Sequence, residues 1–129
     1  MLRLWISVVG LAMLATAAES DRYIVELSGD SVAAHIAKES KRTGQHLGLD
    51  SDAAKERREQ ILKEQQQVGA ELKDLGVEIL GSTQEASNSL LARMSADLMG
   101  KVKSAPGVKA VRRMRTFQPT KTNTSPAQN

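Results

Sequence analysis

The stretch Ser87–Phe117, SNSLLARMSADLMGKVKSAPGVKAVRRMRTF, limits the possible folds more than any other part of the chain. Leu90, Leu91 and Met94 predict a strand over Ser89–Met94. Ser95 then stands where a helix cap is wanted, with Asp97 in the following turn and Lys101 and Lys103 near the end. Acids favour the positive end of the helix dipole and cations the negative end, so a short helix over Ala96–Val102 is expected. Pro106-Gly107 predicts a turn. Val108–Thr116 follows as a basic strand. Strand, helix, turn and strand in so short a span must bury a common apolar side, which points to a mixed α+β layer.

The preceding residues supply the other half. Arg22–Leu27 (RYIVEL) alternates, with Tyr23, Val25 and Leu27 on one face and Ile24 on the other. Ser28-Gly29-Asp30 closes this strand. Ser31–Lys41 reads as a weak helix capped by Asp30 or Ser31, with Val32, His35 and Ile36 on one side. Thr43–Leu49, with two glycines, reads as a loop. Asp50–Leu75 is the longest element: Asp50, Ser51 and Asp52 offer N-caps, and Gly76 stands where a left-handed stop is wanted. Ala54, Arg58, Ile61, Gln65, Val68, Leu72 and Leu75 form one stripe, broken by two polar residues. Because a coiled coil needs a nearly continuous apolar seam, Ile61–Leu75 is expected to rest on a sheet and the first half to project into water. Val77–Leu80 reads as a short strand and Gly81–Ala86 as a turn. The order is β, short α, long α, β, β, α, β. The expected fold class is therefore α+β: a ferredoxin-like split βαβ arrangement, a four-stranded antiparallel sheet with two main helices on one face, the first unusually long. The other face of such a sheet is open.

Length and composition set the frame. The chain has 129 residues, enough for one domain. Met1-Leu2-Arg3, the apolar Leu4–Leu14 and Ala15-Thr16-Ala17 read as a signal peptide over residues 1–17. The apolar run falls short of the roughly 20 residues of a spanning helix. A secreted or periplasmic location is expected, with no membrane contact once the signal is removed. Residues 18–117 then form the domain and 118–129, rich in Pro, Thr, Asn, Ser and Gln, a disordered tail. Cysteine is absent, and beyond the signal the only Phe, Tyr or Trp residues are Tyr23 and Phe117. A small core without disulfides or large rings predicts marginal stability. The net charge of +3 is unevenly spread: no acid follows Asp97, whereas Lys101, Lys103, Lys109, Arg112, Arg113, Arg115 and Lys121 do.

Four segments together resemble the propeptide and inhibitor domain of subtilisin-like serine proteases. They are Arg22–Leu27, the helix exit Leu75-Gly76-Val77-Glu78-Ile79-Leu80, the strand Asn88–Met94, and the closing Ser104-Ala105-Pro106-Gly107-Val108-Lys109-Ala110-Val111-Arg112. The resemblance spans Arg22–Phe117, and it lies in the order of weakly specific motifs. The long helix and the loop before it exceed those of compact members, and no protease domain follows before Asn129. The resemblance implies an inhibitor and folding assistant, an intramolecular chaperone when joined to its protease. The open sheet face would dock on two surface helices of a subtilisin-type protease, and the C-terminal tail would lie in the active-site cleft like a substrate strand. Carried onto this chain, the protease-binding tail is Phe117, Gln118, Pro119 and Thr120, with Phe117 the apolar anchor and Thr120 at the primary specificity site. Phe117 also has a plain reading as a strand-end core residue.

Other functions find little support in the residues. No Gly-x-Ser-x-Gly elbow and no His beside an acid form a nucleophile frame, so no enzyme is expected. His35 and His46 lack the spacing of a metal motif, and no cofactor or metal is expected. A sheet that stacks nucleobases needs aromatics, and Tyr23 and Phe117 are too few, so nucleic acid is not an expected partner. The competing reading is a periplasmic structural or chaperone-like protein that pairs helices through the charged, Gln-rich Glu64-Gln65-Gln66-Gln67 region without binding a protease. That reading gives no role to RYIVEL or to the Pro-Gly-Val strand. The sequence leaves the oligomeric state and the target protease open.

Overall fold

The computed structural model describes residues 20–115. The expected signal peptide 1–17, the tail 118–129 and the candidate residues Phe117, Gln118, Pro119 and Thr120 lie outside the described residues. Strands β1 (Ser20–Leu27), β2 (Glu78–Thr83), β3 (Ser89–Ser95) and β4 (Val108–Arg113) form one sheet in the order β2-β3-β1-β4. Every neighbouring pair is antiparallel. The helices are α1 (Val32–Thr43), α2 (Asp52–Asp74) and α3 (Met99–Lys103), the last preceded by a 3-10 turn over Ala96–Leu98.

Alternation decides which side of the sheet is covered. Val25 lies opposite Leu90 on one side and Val111 on the other, and Tyr23 lies opposite Ala92. These residues and Leu27 and Met94 are buried against Val68 and Leu72 of α2 and Val102 of α3. Leu72 and Val102 are fully buried. Each such side chain contributes about 1.5–3 kcal/mol of transfer free energy. Two turns need glycine to close this layer. Gly76, at φ 96, turns the chain out of α2 into β2, and Gly107, at φ 82, turns it into β4. A Cβ on Gly107 would also come within 3.1 Å of the Val68 side chain.

The first half of α2 does not project into water. Ala54 and Ile61 are fully buried, because α1 lies along this half and covers them with Val32 and Ile36. Ile61 thus belongs to a helix–helix cluster rather than to the sheet core. The pairing rests on a four-residue repeat in α1 and a seven-residue repeat in α2, each of which keeps apolar residues on one side. Helix α1 is capped by Ser31, whose hydroxyl accepts from the Ala34 N–H at 3.2 Å. Ser51 does the same for α2 through the Ala54 N–H at 3.3 Å.

Besides small shifts at the start of β1 (Ser20) and the end of α1 (Thr43), three differences from the sequence expectation reshape the layer. Strand β2 does not stop at Leu80 but runs to Thr83, through a bulge between Ile79 and Gly81, and pairs Ser82 and Thr83 with Leu90 and Ser89. A bulge lets a glycine-containing stretch stay in the ladder, where the sequence suggested a turn. Ser95 makes no side-chain cap, and the expected helix over Ala96–Val102 divides into the 3-10 turn and α3. Strand β4 ends at Arg113 rather than Thr116 within the described region, although the Met114 N–H still donates to the Arg22 carbonyl at 2.9 Å.

Candidate functional site

The second face of the sheet is the candidate site, because among the described residues no helix covers it. Its side chains are those that alternate with the core: Arg22, Ile24 and Glu26 on β1, Leu91 and Arg93 on β3, and Ala110 and Arg112 on β4. Ile24 and Leu91 lie directly opposite one another, both half-buried, at the centre. Ala110 lies opposite Glu26, one alternate position from Ile24 along β1. Met114, 38% exposed, continues the same face beyond β4. The result is a small apolar centre within a charged frame.

The frame is mixed in sign. Glu26 stands 3.5 Å from Lys109 and 3.5 Å from Arg112. Arg93 reaches Glu78 across the β2–β3 ladder at 3.3 Å. Arg113 pairs with Asp21 at the end of the sheet. These pairs are exposed, so each contributes little to stability, on the order of 0–1 kcal/mol. Arg22 lies opposite Arg93, a like-charge pair across central strands, which costs rather than stabilises. Beside it, the last strand leads out: the Met114–Arg22 bond holds the chain against the start of β1, and Arg115 follows. The described chain therefore ends at Arg115, next to the bare face, at its Arg22–Arg93 end.

A second polar group lies on the opposite side of the sheet, at the far end of the fold. Gln65 is 4% exposed and Asn88 3%. The Gln65 amide donates to the Thr83 carbonyl at 2.8 Å and to Asn88 Oδ1 at 3.0 Å, and it accepts from Gln84 at 2.9 Å. Asn88 donates to the Gly29 carbonyl at 3.2 Å. Arg57 donates twice to the Asp30 carbonyl, at 3.1 and 2.8 Å. The Val32 and Ala33 N–H groups donate to the Gln84 and Glu85 carbonyls, so the β2–β3 loop closes the start of α1. Every buried side-chain polar atom in the described residues has a partner, so this cluster is a structural tie. In the sequence Gln65 stands out only as a break in an apolar stripe; the break is the sign of the tie.

The shifted carboxyls also lie away from the bare face. The Lys38 ammonium, hydrogen-bonded at 2.7 Å, lowers the Asp30 carboxyl below its ordinary value. Arg42 does so for Glu39, and Arg58 for Glu85. His35 lies half-buried beside Glu39, Glu56 and Arg57, whereas His46 is exposed and borders a different hollow with Lys38 and Lys41. The structure does not bring the two histidines to a common site.

No protein family, curated protein or solved structure matches the chain in comparisons with each.

Proposed function

We propose that the protein is a secreted or periplasmic, propeptide-like inhibitor of a subtilisin-type serine protease, and that it can also assist the folding of that protease. The observation that carries the reading is the two-sided sheet: one face is sealed by α2 and α3, and the other is bare among the described residues, with Ile24 and Leu91 at its centre. The strand order β2-β3-β1-β4, with a helical connection after β1 and another after β3, supports a ferredoxin-like split βαβ assignment with a long first main helix. An apolar centre within a polar rim is the usual anatomy of a protein-binding patch. The mechanism is the one that the resemblance to subtilase propeptides implies. The bare face meets the protease surface, and the segment beyond Arg115 enters the cleft as an added strand, with Phe117, Gln118, Pro119 and Thr120 in the substrate subsites. Main-chain hydrogen bonds supply affinity and the side-chain pockets supply register.

Of the run on which the helix-pairing alternative rests, Gln65 is tied to Asn88 and Gln84, and the inner side of α2 is occupied by α1 and the sheet, whereas Glu64, Gln66 and Gln67 remain exposed.

The test is inhibition. The full chain from Ala18 and a version ending at Arg115 are titrated against a panel of subtilisin-type proteases. Tight inhibition by the longer chain, weakened in the shorter one, is expected. No inhibition and no protection of any subtilase by either chain overturns the reading.

A further inference from the structure

At the end of the bare face where the chain leaves β4, Ser20, Asp21, Arg22, Arg93, Met114 and Arg115 line a cleft of about 380 Å³. Two features mark it. The first is the cleft itself, into which three arginines from β1, β3 and the exit segment converge. The second is the direct opposition of Arg22 and Arg93 on the two central strands. Like charges placed there disfavour the isolated sheet, and an anion between them would reverse the sign of that contribution. Of these three arginines, as far as the described residues go, Arg93 alone has an acid of its own, Glu78 at 3.3 Å, while Asp21 is held by Arg113 outside the triad.

We propose that Arg22, Arg93 and Arg115 receive an acidic side chain of the protein partner and thereby fix where the tail starts. The guanidinium fork matches a carboxylate with paired hydrogen bonds. The partner is a protein rather than a polyanion because acids are interleaved with the arginines: Glu26 and Glu78 share the face, and Asp21 lies at the cleft edge. A nucleic acid or an anionic membrane would press its charges against those carboxylates, whereas a folded protein can offer one acid at the cleft and cations elsewhere. The identity of the partner as a subtilisin-type protease rests on the reading above; the carboxylate specificity does not.

The probe is a tetraglutamate peptide, titrated into the full chain and followed by amide and guanidinium NMR shifts, with inorganic phosphate and a short DNA duplex in parallel. Saturable shifts at Arg22, Arg93 and Arg115 are expected. Arg22→Gln with Arg93→Gln should weaken the peptide by about tenfold, while Lys101→Gln with Lys103→Gln should leave it unchanged. The paired arginine variant should melt at the same temperature as the parent or higher, which separates lost binding from lost folding. No saturable shift at these residues, or tighter binding of phosphate or DNA than of the peptide, overturns the proposal. The inhibition assay separates the two readings. Subtilase inhibition that is unaffected by the arginine variant removes the cleft and keeps the inhibitor; peptide binding without inhibition of any subtilase does the reverse.

Discussion

Strand β1 carries two unlike faces within eight residues. Tyr23, Val25 and Leu27 are at most 4% exposed, held between α2, α3 and the neighbouring strands. Arg22, Ile24 and Glu26, from the same backbone, face a side with no helix over it among the described residues. The first set is selected by packing and the second is free of that demand. A half-buried isoleucine opposite a half-buried leucine on the free side is therefore informative, since stability alone could be met there by polar residues. The difference is the ground on which the bare face is proposed as the docking surface.

Substitutions that open the covered face should have the largest effect on stability. Leu72→Ala should cost about 2–5 kcal/mol in urea unfolding, from lost transfer energy and the cavity left between α2 and the sheet. Leu91→Ala, on the bare side, should cost less than about 1.5 kcal/mol in the same assay. Equal losses at the two positions would break the comparison. Gln65→Leu comes next, at about 1–3 kcal/mol, because Asn88, Gln84 and the Thr83 carbonyl lose a buried partner together. Hydrogen exchange should then speed up in the β2–β3 loop and at the start of α1, which that loop closes.

Ile24→Ser combined with Leu91→Ser sharpens the contrast from the other side. Stability should fall by no more than about 1–2 kcal/mol, while inhibition of a responsive subtilase should weaken by at least about tenfold. The smallest effect concerns pH. The folded-state carboxyls of Asp30, Glu39 and Glu85 are lowered by Lys38, Arg42 and Arg58. Their contribution is complete above the ordinary carboxylate range and is lost as pH falls through the depressed values. The melting temperature should therefore decline slightly from pH 6 to about pH 3. Asp30→Asn, Glu39→Gln and Glu85→Gln together should flatten that decline.

Much of the sheet is legible from local pattern. RYIVEL alternates cleanly, and Gly76 and Pro106-Gly107 punctuate the elements that they end. The mixed α+β class and the antiparallel sheet follow from that order. The partner of the first half of α2 is not legible, because Val32 and Ile36 form too short an apolar pair to announce that α1 would cover Ala54 and Ile61. The bulge at Leu80 hides the end of β2, since pairing of Ser82 and Thr83 is set by β3 rather than by their own propensities. On the candidate face, Ile24 is visible as the residue off the core side of β1. The Arg22–Arg93 opposition is not, because it depends on the register of strands far apart in sequence. Phe117, Gln118, Pro119 and Thr120 stand on the family resemblance and lie beyond the described residues.

The most direct test of the bare face as the docking surface is methyl cross-saturation in a complex with a subtilisin-type protease that the protein inhibits. Methyls of the isotopically labelled protein are observed while the unlabelled protease is irradiated. The account predicts strong saturation at Ile24 and Leu91, with Val25, Leu72 and Ile61 unaffected. Saturation confined to α1 or the outer side of α2, with Ile24 and Leu91 silent, would contradict it.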